Sequence, residues 1–256
     1  MAAFDLQGTD NAILTGNRIL ASAGDGIRVA SAGNVEISRN ELDWIDGSGI
    51  VVVDTADARI TENTIAFAGR NAIQVAGGAD LLVSRNTISR AIGNGIDIQG
   101  SDLAGSLLEN SITDAQTGIQ MVLSGVFEGA ISDNILLASR VYGMSLEAGQ
   151  FATDSLVSTN WIESSGREGL RILVTGPDES TLIVSDNVLI LNHAQDGEQQ
   201  REFVAGLASG AGPMIVELRG NASYNLVPPG EFNFDFFNAG GSPLLYGTDP
   251  GAPNVG

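Results

Sequence analysis

One asparagine recurs along this chain at a nearly constant interval, and this repeat constrains the fold more than any other feature. Successive members are 23 residues apart at first, and the interval then rises through 24 and 26 to 27. The members are Asn17, Asn40, Asn63, Asn86, Asn110, Asn134, Asn160 and Asn187. A fixed repeat of this length is typical of solenoids, in which each unit stacks on its neighbours. The sequence therefore predicts one elongated domain rather than two globular ones.

Aliphatic residues occupy fixed positions in every repeat and predict the core. One lies two residues after each asparagine, and another lies three residues before it. Two more alternate in a Gly-Ile-x-Val segment midway between asparagines, as in residues 26–29. Short alternating stretches broken by Gly, Asn and Ser indicate β-strands of three to five residues. We therefore predict coils of about three short strands, stacked as parallel sheets about 4.8 Å apart.

The repeated asparagine is interpreted as a structural ladder rather than as a set of ligands. Asparagine tolerates the backbone conformation of a bend, and its amide can bond to the amides of the coils above and below. The residues directly before it alternate in charge, from Arg39 and Glu62 to Arg85 and Glu109. Opposite charges at one-coil spacing predict ion pairs between neighbouring coils, which would help to fix the coil register.

The charge balance limits the classes of partner. The chain has 31 acidic and 12 basic residues, a net charge of −19, and all of its basic residues are arginines. No basic surface is available to displace counterions, so nucleic acid and anionic membranes are not expected as partners. There is no cysteine, no apolar run long enough to insert into a membrane, and no secretory signal pattern. Because Phe4 and Leu6 already lie in the repeat register, we expect a fragment of a longer protein.

The Asn-x-Ile element, the Gly-Ile-x-Val strand and the period of 22–24 residues resemble the right-handed parallel β-helix repeats of the pectin-lyase-like superfamily. The resemblance covers residues 4 to about 190. It implies an all-β fold, a right-handed, single-stranded parallel β-helix (solenoid) of about nine coils of 23–27 residues. It also implies a secreted or cell-surface protein whose partner is a polysaccharide or a cell-surface glycan.

The C-terminal third departs from the repeat. We expect the β-helix over 1–225, with regular coils to about 190, an insertion over 192–213 that holds the one histidine, His193, and a last coil over 214–225. Residues 226–256 are expected to form a C-terminal cap and a Gly/Pro-rich tail, because solenoids need their open end covered.

Two features predict contacts with another copy of the chain. The outward position after the asparagine becomes apolar at Ile135, Trp161 and Val188, and exposed apolar columns indicate a cover or a subunit contact. An open coil at the N-terminal end would also present unpaired strand edges. Either surface would support a homo-oligomer.

Most catalytic patterns of the superfamily are missing. The lyases that it contains use an Arg or Lys base with bound calcium, and the hydrolases use clustered aspartates with Gly-His-Gly and Arg-Ile-Lys motifs, which do not occur here. The remaining catalytic candidates are Arg28, Asp97 and Arg171. Glycosidase chemistry requires two carboxylates, and the candidate pairs are Asp97 with Asp102 or Asp114, or Asp43 with Asp46 in a bend near Asp25. We therefore expect a non-catalytic module. A lyase, hydrolase or epimerase acting on an acidic glycan, and a purely structural assembly module, are kept as alternatives.

Two surfaces are candidates for glycan binding. Gln74, Asp97 and Gln120 present planar polar groups at one-coil spacing on the Gly-Ile strand, which suits a hydroxyl-rich ligand. The register of Trp44, Phe67 and Arg90 is either an outward aromatic platform with a cation over it or an aromatic stack inside the core.

No cofactor is required by the core or by the motifs. Calcium is a possible bound ion, with Asp43 and Asp46 in one bend and Asp25 near it as candidate ligands. No ligand loop of recognised spacing accompanies these aspartates.

Overall fold

The computed structural model describes residues 1–192, 202–224, 234–238 and 244–248. These residues form short β-strands joined by bends, and every strand pair is parallel. The strands assemble into three sheets that extend along the whole solenoid. The predicted all-β parallel β-helix is confirmed, and the described part of the chain contains no helix.

The strands of each sheet follow one another in chain order, one from each coil. The first sheet consists of Phe4–Gln7, Ile27–Ala30, Ile50–Val53, Ile73–Ala76, Ile96–Gly100, Ile119–Leu123, Met144–Ala148, Leu170–Val174, Phe203–Leu207 and Phe234–Asn238. The second consists of Asn11–Thr15, Asn34–Ser38, Asp57–Thr61, Asp80–Ser84, Leu103–Leu108, Val126–Ser132, Ser155–Ser158, Ser180–Ser185, Met214–Arg219 and Leu244–Thr248, with Gln150–Phe151 paired beside Val126–Ser132. The third consists of Arg18–Ile19, Glu41–Leu42, Thr64–Ile65, Thr87–Ser89, Ser111–Thr113, Ile135–Leu137, Trp161–Glu163, Val188–Ile190 and Ala222–Tyr224.

Aliphatic side chains from all three sheets stack in columns inside the coils. One column on the first sheet is fully buried in seven successive coils, and its members are Ile27, Ile50, Ile73, Ile96, Ile119, Met144 and Leu170. Burying one such side chain contributes about 1.5–3 kcal/mol. The columns that the alternating sequence predicted are therefore the core.

The asparagine ladder lies inside the bend that joins the second sheet to the third. Each Nδ2 donates to the Oδ1 of the asparagine in the next coil over 2.9–3.0 Å, from Asn17 to Asn221. From Asn40 onwards, Nδ2 also donates to a backbone carbonyl of the preceding coil. The ladder prediction is confirmed, and Asn221 extends it by one coil.

The residue before each ladder asparagine has a left-handed backbone, as in Arg39, Glu62 and Arg85 at φ of 54° to 59°. The predicted charge pairing is seen between Arg85 and Glu62, whose side chains approach to 3.2 Å while remaining about half exposed. Exposed pairs of this kind contribute at most about 1 kcal/mol. Register is therefore fixed mainly by the buried ladder and the core.

The C-terminal coils are more regular than the sequence suggested. Inside the segment 192–213, predicted as an insertion, Phe203–Leu207 is a strand paired in register with Leu170–Val174. Its small residues, Ala205 and Gly206, weakened the strand pattern in the sequence. Two further strands in the region predicted as cap pair in parallel with the preceding coil, so the solenoid continues past residue 225. His193 and the rest of the predicted cap lie outside the described residues.

Candidate functional site

Asp97 is an acidic residue on the outer face of the first sheet, yet it is only 3% exposed. It accepts hydrogen bonds from Nδ2 of Asn71 at 3.0 Å, Nδ2 of Asn94 at 3.1 Å and Nε2 of Gln99 at 3.0 Å. Burial raises the pKa of Asp97, and the three amide hydrogen bonds oppose that rise. We call these four residues the amide cluster. The sequence singled out Asp97 but not the three amides that surround it.

The predicted polar column is present in the expected register. Gln74 and Gln120 are paired with Asp97 from the coils on either side, and both side chains are half-buried. Arg28 and Arg171 are each three strands away from Asp97 in the same column. At the usual strand spacing this separation is about 14 Å. The structure therefore does not bring the three catalytic candidates together.

Arg171 has partners of its own in the later coils. Its guanidinium lies 5.8 Å from the centre of the Tyr142 ring, and Nη1 donates to Oγ of Ser145 over 3.3 Å. These contacts hold the cation against the sheet rather than directing it to Asp97.

The candidate second carboxylates are also engaged elsewhere. Asp114 pairs with Arg140 at 2.8 Å, and Oδ1 of Asp102 accepts the backbone N–H of Val126 at 2.8 Å. Neither makes a hydrogen bond within the amide cluster. Glycosidases place two carboxylates on opposite sides of one sugar linkage. Among the side chains that the structure describes, the other carboxylates on this face are Asp5, four strands from Asp97 in its column, and Glu147, two strands away in the column of Gln99, so none is paired with Asp97 on an adjacent strand.

The bend that joins the third sheet to the first carries the predicted aromatic register. Trp44 is 61% exposed, and its ring stacks on Phe67 with centroids 5.0 Å apart and planes inclined by 26°. Trp44 therefore faces outward, because the adjacent Ile45 is fully buried and occupies the core in its place. The backbone of Trp44 has a φ of 56°, which bulky residues rarely adopt.

Further exposed groups surround this stack. Arg90 lies one coil beyond Phe67 with a φ of 56°, and Ile92 is 60% exposed. Arg70 and Arg90 form no salt bridge or side-chain hydrogen bond with the described residues. Arg90 makes no cation–π contact with the described residues, so the cation predicted over the rings is not seen. We call Trp44, Phe67, Arg70, Arg90 and Ile92 the aromatic corner.

The aromatic corner and the amide cluster border one another. Phe67 and Asn71 are four residues apart in the same bend, so at most about 14 Å of chain separates them. The hydroxyl of Ser48, in the next bend towards the N-terminus, lies 3.5 Å from Oε1 of Gln74. Stacking rings and planar polar groups are thus adjacent on one outer surface.

The calcium candidates lie on the same side but are not gathered around a point. Oδ1 of Asp25 accepts the backbone N–H of Ser48 at 2.9 Å, while Asp43 and Asp46 flank Trp44. Across the described ranges, no group of three or more His, Cys, Asp or Glu side chains is arranged to hold a metal ion. The geometry adds no support for calcium at these aspartates, which stays a prediction.

A buried carboxyl group that the sequence did not indicate lies inside the later coils. Glu202 is 2% exposed, and Nδ2 of Asn192 donates to its Oε2 over 2.6 Å. Earlier coils have Gly or Ala at this inward position. Burial raises the pKa of Glu202 to about 7, and its hydrogen bonds to Asn192 oppose the rise. In the sequence, the only sign of this buried group is that Glu202 replaces the Gly or Ala of the earlier coils. That replacement becomes visible only once Phe203–Leu207 is aligned in register with the earlier strands.

Comparison with known proteins identifies the fold family. A family model described as the right-handed β-helix region matches residues 2–189, and the chain therefore belongs to this family. No curated protein and no solved structure matches the chain. A search of the described residues found no helix with the length and apolar character needed to cross a membrane.

Proposed function

We propose that this β-helix is a non-catalytic polysaccharide-recognition module of a secreted or cell-surface protein. Its binding surface is formed by the aromatic corner together with the adjoining face around Gln74, Asp97 and Gln120. The membership of the β-helix family is consistent with a carbohydrate-related role.

The exposed stack of Trp44 on Phe67 is the observation that carries this proposal. An exposed tryptophan adds little to the core, and a left-handed backbone at a non-glycine residue costs about 1–2 kcal/mol. Folding alone therefore does not account for a bulky aromatic at this position. Sugar rings have apolar C–H faces that pack on aromatic rings, while their hydroxyls need polar partners beside the ring.

The arrangement of charges favours binding over catalysis. Asp97 is enclosed by three amides, and the two arginines of its column lie about 14 Å away on either side. A general acid or base must reach the reacting atom within hydrogen-bond distance. This geometry supports recognition. It gives no support to the lyase, hydrolase and epimerase alternatives, because the candidate catalytic groups are too far apart to act on one linkage.

The test is a glycan array probed with the wild-type chain, followed by affinity measurements on the polysaccharides that bind. Trp44→Ala is expected to reduce affinity at least tenfold. Trp161→Ala is the matched control, measured at a concentration at which the wild-type chain is monomeric, because Trp161 is the other tryptophan and lies 41% exposed on the third sheet. Release of reducing ends or unsaturated products from any bound polysaccharide, abolished by Asp97→Ala, would contradict a non-catalytic role.

Self-association is the second candidate, and it is favoured by a different surface. On the third sheet, Ile135 is 44% exposed next to Trp161 in register, and Val188 follows in the next coil. We propose this face as a contact between copies of the chain. The N-terminal coil, where Ile13 is 68% exposed, is the alternative contact.

A further inference from the structure

We propose that the ligand of this surface is an uncharged, hydroxyl-rich polysaccharide. In this proposal Asp97 is a positioning residue that turns the oxygens of the surrounding amides towards the polysaccharide. This inference rests on the proposed function and names the chemical class of the polysaccharide. Three observations lead to it: the orientation of the amides, the hydrogen-bonding capacity that remains, and the distribution of charge.

Asp97 determines how the amides of its cluster are turned. An ionised carboxylate can only accept hydrogen bonds, so each amide must direct its NH₂ group towards it. Asn71, Asn94 and Gln99 all do so, at 3.0–3.1 Å. The carbonyl oxygen of each planar amide is consequently turned away from Asp97.

Two of these carbonyl oxygens remain available to a ligand. Oδ1 of Asn71 accepts the backbone N–H of Asn94 over 2.8 Å. Oδ1 of Asn94 and Oε1 of Gln99 accept no hydrogen bond from the described residues, and the Gln99 side chain is exposed. A sugar hydroxyl can donate to such oxygens, whereas an ionised carboxylate or a sulfate cannot. The surface therefore offers hydrogen-bond acceptors to a ligand that carries hydroxyl donors.

The distribution of charge also opposes a polyanion. In the column of Asp97, the nearest cations are Arg28 and Arg171, and each is three strands away. In the same stack of bends, Asp43 and Asp46 lie one coil before Arg70 and two coils before Arg90. The whole chain carries a net charge of −19, so an acidic polysaccharide is repelled at a distance and next to Asp97. The guanidinium groups can still donate to hydroxyls.

The test compares polysaccharides that share a backbone and differ in charge: glucan with glucuronan, mannan with mannuronan, and galactan with galacturonan. Affinities are measured by calorimetry at low salt and again in 0.5 M NaCl, a concentration of roughly the size needed to screen surface charge. We expect one neutral polymer to bind at least tenfold more tightly than its carboxylated counterpart, with the preference reduced in high salt.

Variants separate positioning from folding. Asp97→Asn is expected to weaken binding of the neutral polymer about fivefold or more and to shrink the neutral-to-carboxylated ratio, which a purely structural defect would not change. Asp102→Asn removes the same charge just beyond the end of the strand that carries Asp97, outside the amide cluster, and should leave the ratio unaltered. If Asp97→Asn lowers the melting temperature too far for binding studies, Gln99→Ala removes one exposed oxygen and should weaken neutral binding about threefold.

The outcomes distinguish the two proposals. Tighter binding of a carboxylated polymer, lost in Arg90→Gln, would overturn the uncharged class and leave polysaccharide recognition standing. An unchanged ratio in a well-folded Asp97→Asn would overturn the positioning role. Failure of the wild-type chain to bind any polymer of the array would overturn the proposed function itself.

Discussion

The two bends that flank the third sheet share a left-handed backbone residue but differ in the side chains that they carry. In both, one residue of most coils adopts a left-handed conformation, as at Arg39 and Glu62 in one bend and at Trp44 and Arg90 in the other. In the first bend the next residue is always asparagine, and from Asn40 to Asn187 it is buried and bonded to the coils above and below. In the second bend the position changes from Trp44 to Phe67, Arg90 and Asp114, and the side chains face solvent.

The difference shows where a repeat protein can vary. A buried amide ladder satisfies several backbone groups in each coil, so any other residue would leave polar atoms without partners. The aromatic corner has no such ladder, so its outward positions are free to take ligand-binding groups. The invariant bend holds the scaffold together, and the variable bend is where recognition is proposed.

The largest effect is expected from breaking the ladder at its centre. Asn110→Ala removes the acceptor for the N–H and Nδ2 of Asn86 and the donor to the carbonyl of Val83. Each buried group left without a partner costs about 1–3 kcal/mol. The free energy of unfolding in urea should fall by about 4 kcal/mol.

The control is Asn17→Ala, at the half-exposed end of the ladder. This variant removes one side-chain bond to Asn40, and water can replace it, so a loss of about 1 kcal/mol is expected. Equal losses in the two variants would show that burial of the ladder does not determine its contribution.

A smaller effect concerns Glu202, the buried carboxyl group in the second bend. Its pKa in the folded chain is about 7, above the ordinary value of 4.5. The folded chain therefore retains a proton that the unfolded chain releases, and stability should fall as pH rises from 4.5 to 7. The loss is at most about 3 kcal/mol.

Glu202→Gln should remove this slope and make the chain more stable than wild type at pH 8. Urea unfolding at pH 4.5, 6 and 8 measures it. A wild-type stability that rises from pH 4.5 to 7, with the same rise in the variant, would mean that Glu202 is not protonated in the folded chain.

The apolar third-sheet face is expected to give a concentration-dependent effect. If Ile135 and Trp161 contact another copy, light scattering should show a mass above that of the 26.5 kDa chain at high concentration. Trp161→Ser should return the mass to that of the monomer. A wild-type monomer at all concentrations would exclude this contact.

The smallest effect on stability is expected in the aromatic corner. Trp44→Gly removes a bulky side chain from a left-handed backbone position that glycine adopts without strain. The change in free energy of unfolding should be within about 1 kcal/mol of zero, since relief of strain offsets the lost stacking on Phe67. A loss above about 2 kcal/mol would make Trp44 part of the scaffold.

The scaffold was predictable from the sequence because its signals repeat. The eight asparagines and the aliphatic columns must all align when the repeats are superimposed, so a misaligned coil would be recognised from its neighbours. The direction of Trp44 was not predictable, because one residue of rotation in a bend moves a side chain from core to solvent. The enclosure of Asp97 was not predicted either: Asn71 and Asn94 are one repeat of 23 residues apart, but other coils have Asp25, Ser48 and Thr117 at this position, and Gln99 lies in a different column. The strand at Phe203–Leu207 was missed because small residues and a long preceding segment hide its register.

The most direct test of the central claim uses the two tryptophans as reporters of the two sides of the molecule. Trp161→Phe leaves Trp44 as the one fluorophore of its kind, and Trp44→Phe leaves Trp161. Each variant is titrated with a polysaccharide selected on the array. We expect a saturable change in emission from Trp44 and no change from Trp161. A saturable response from Trp161, with Trp44 silent, would contradict the assignment of recognition to the aromatic corner.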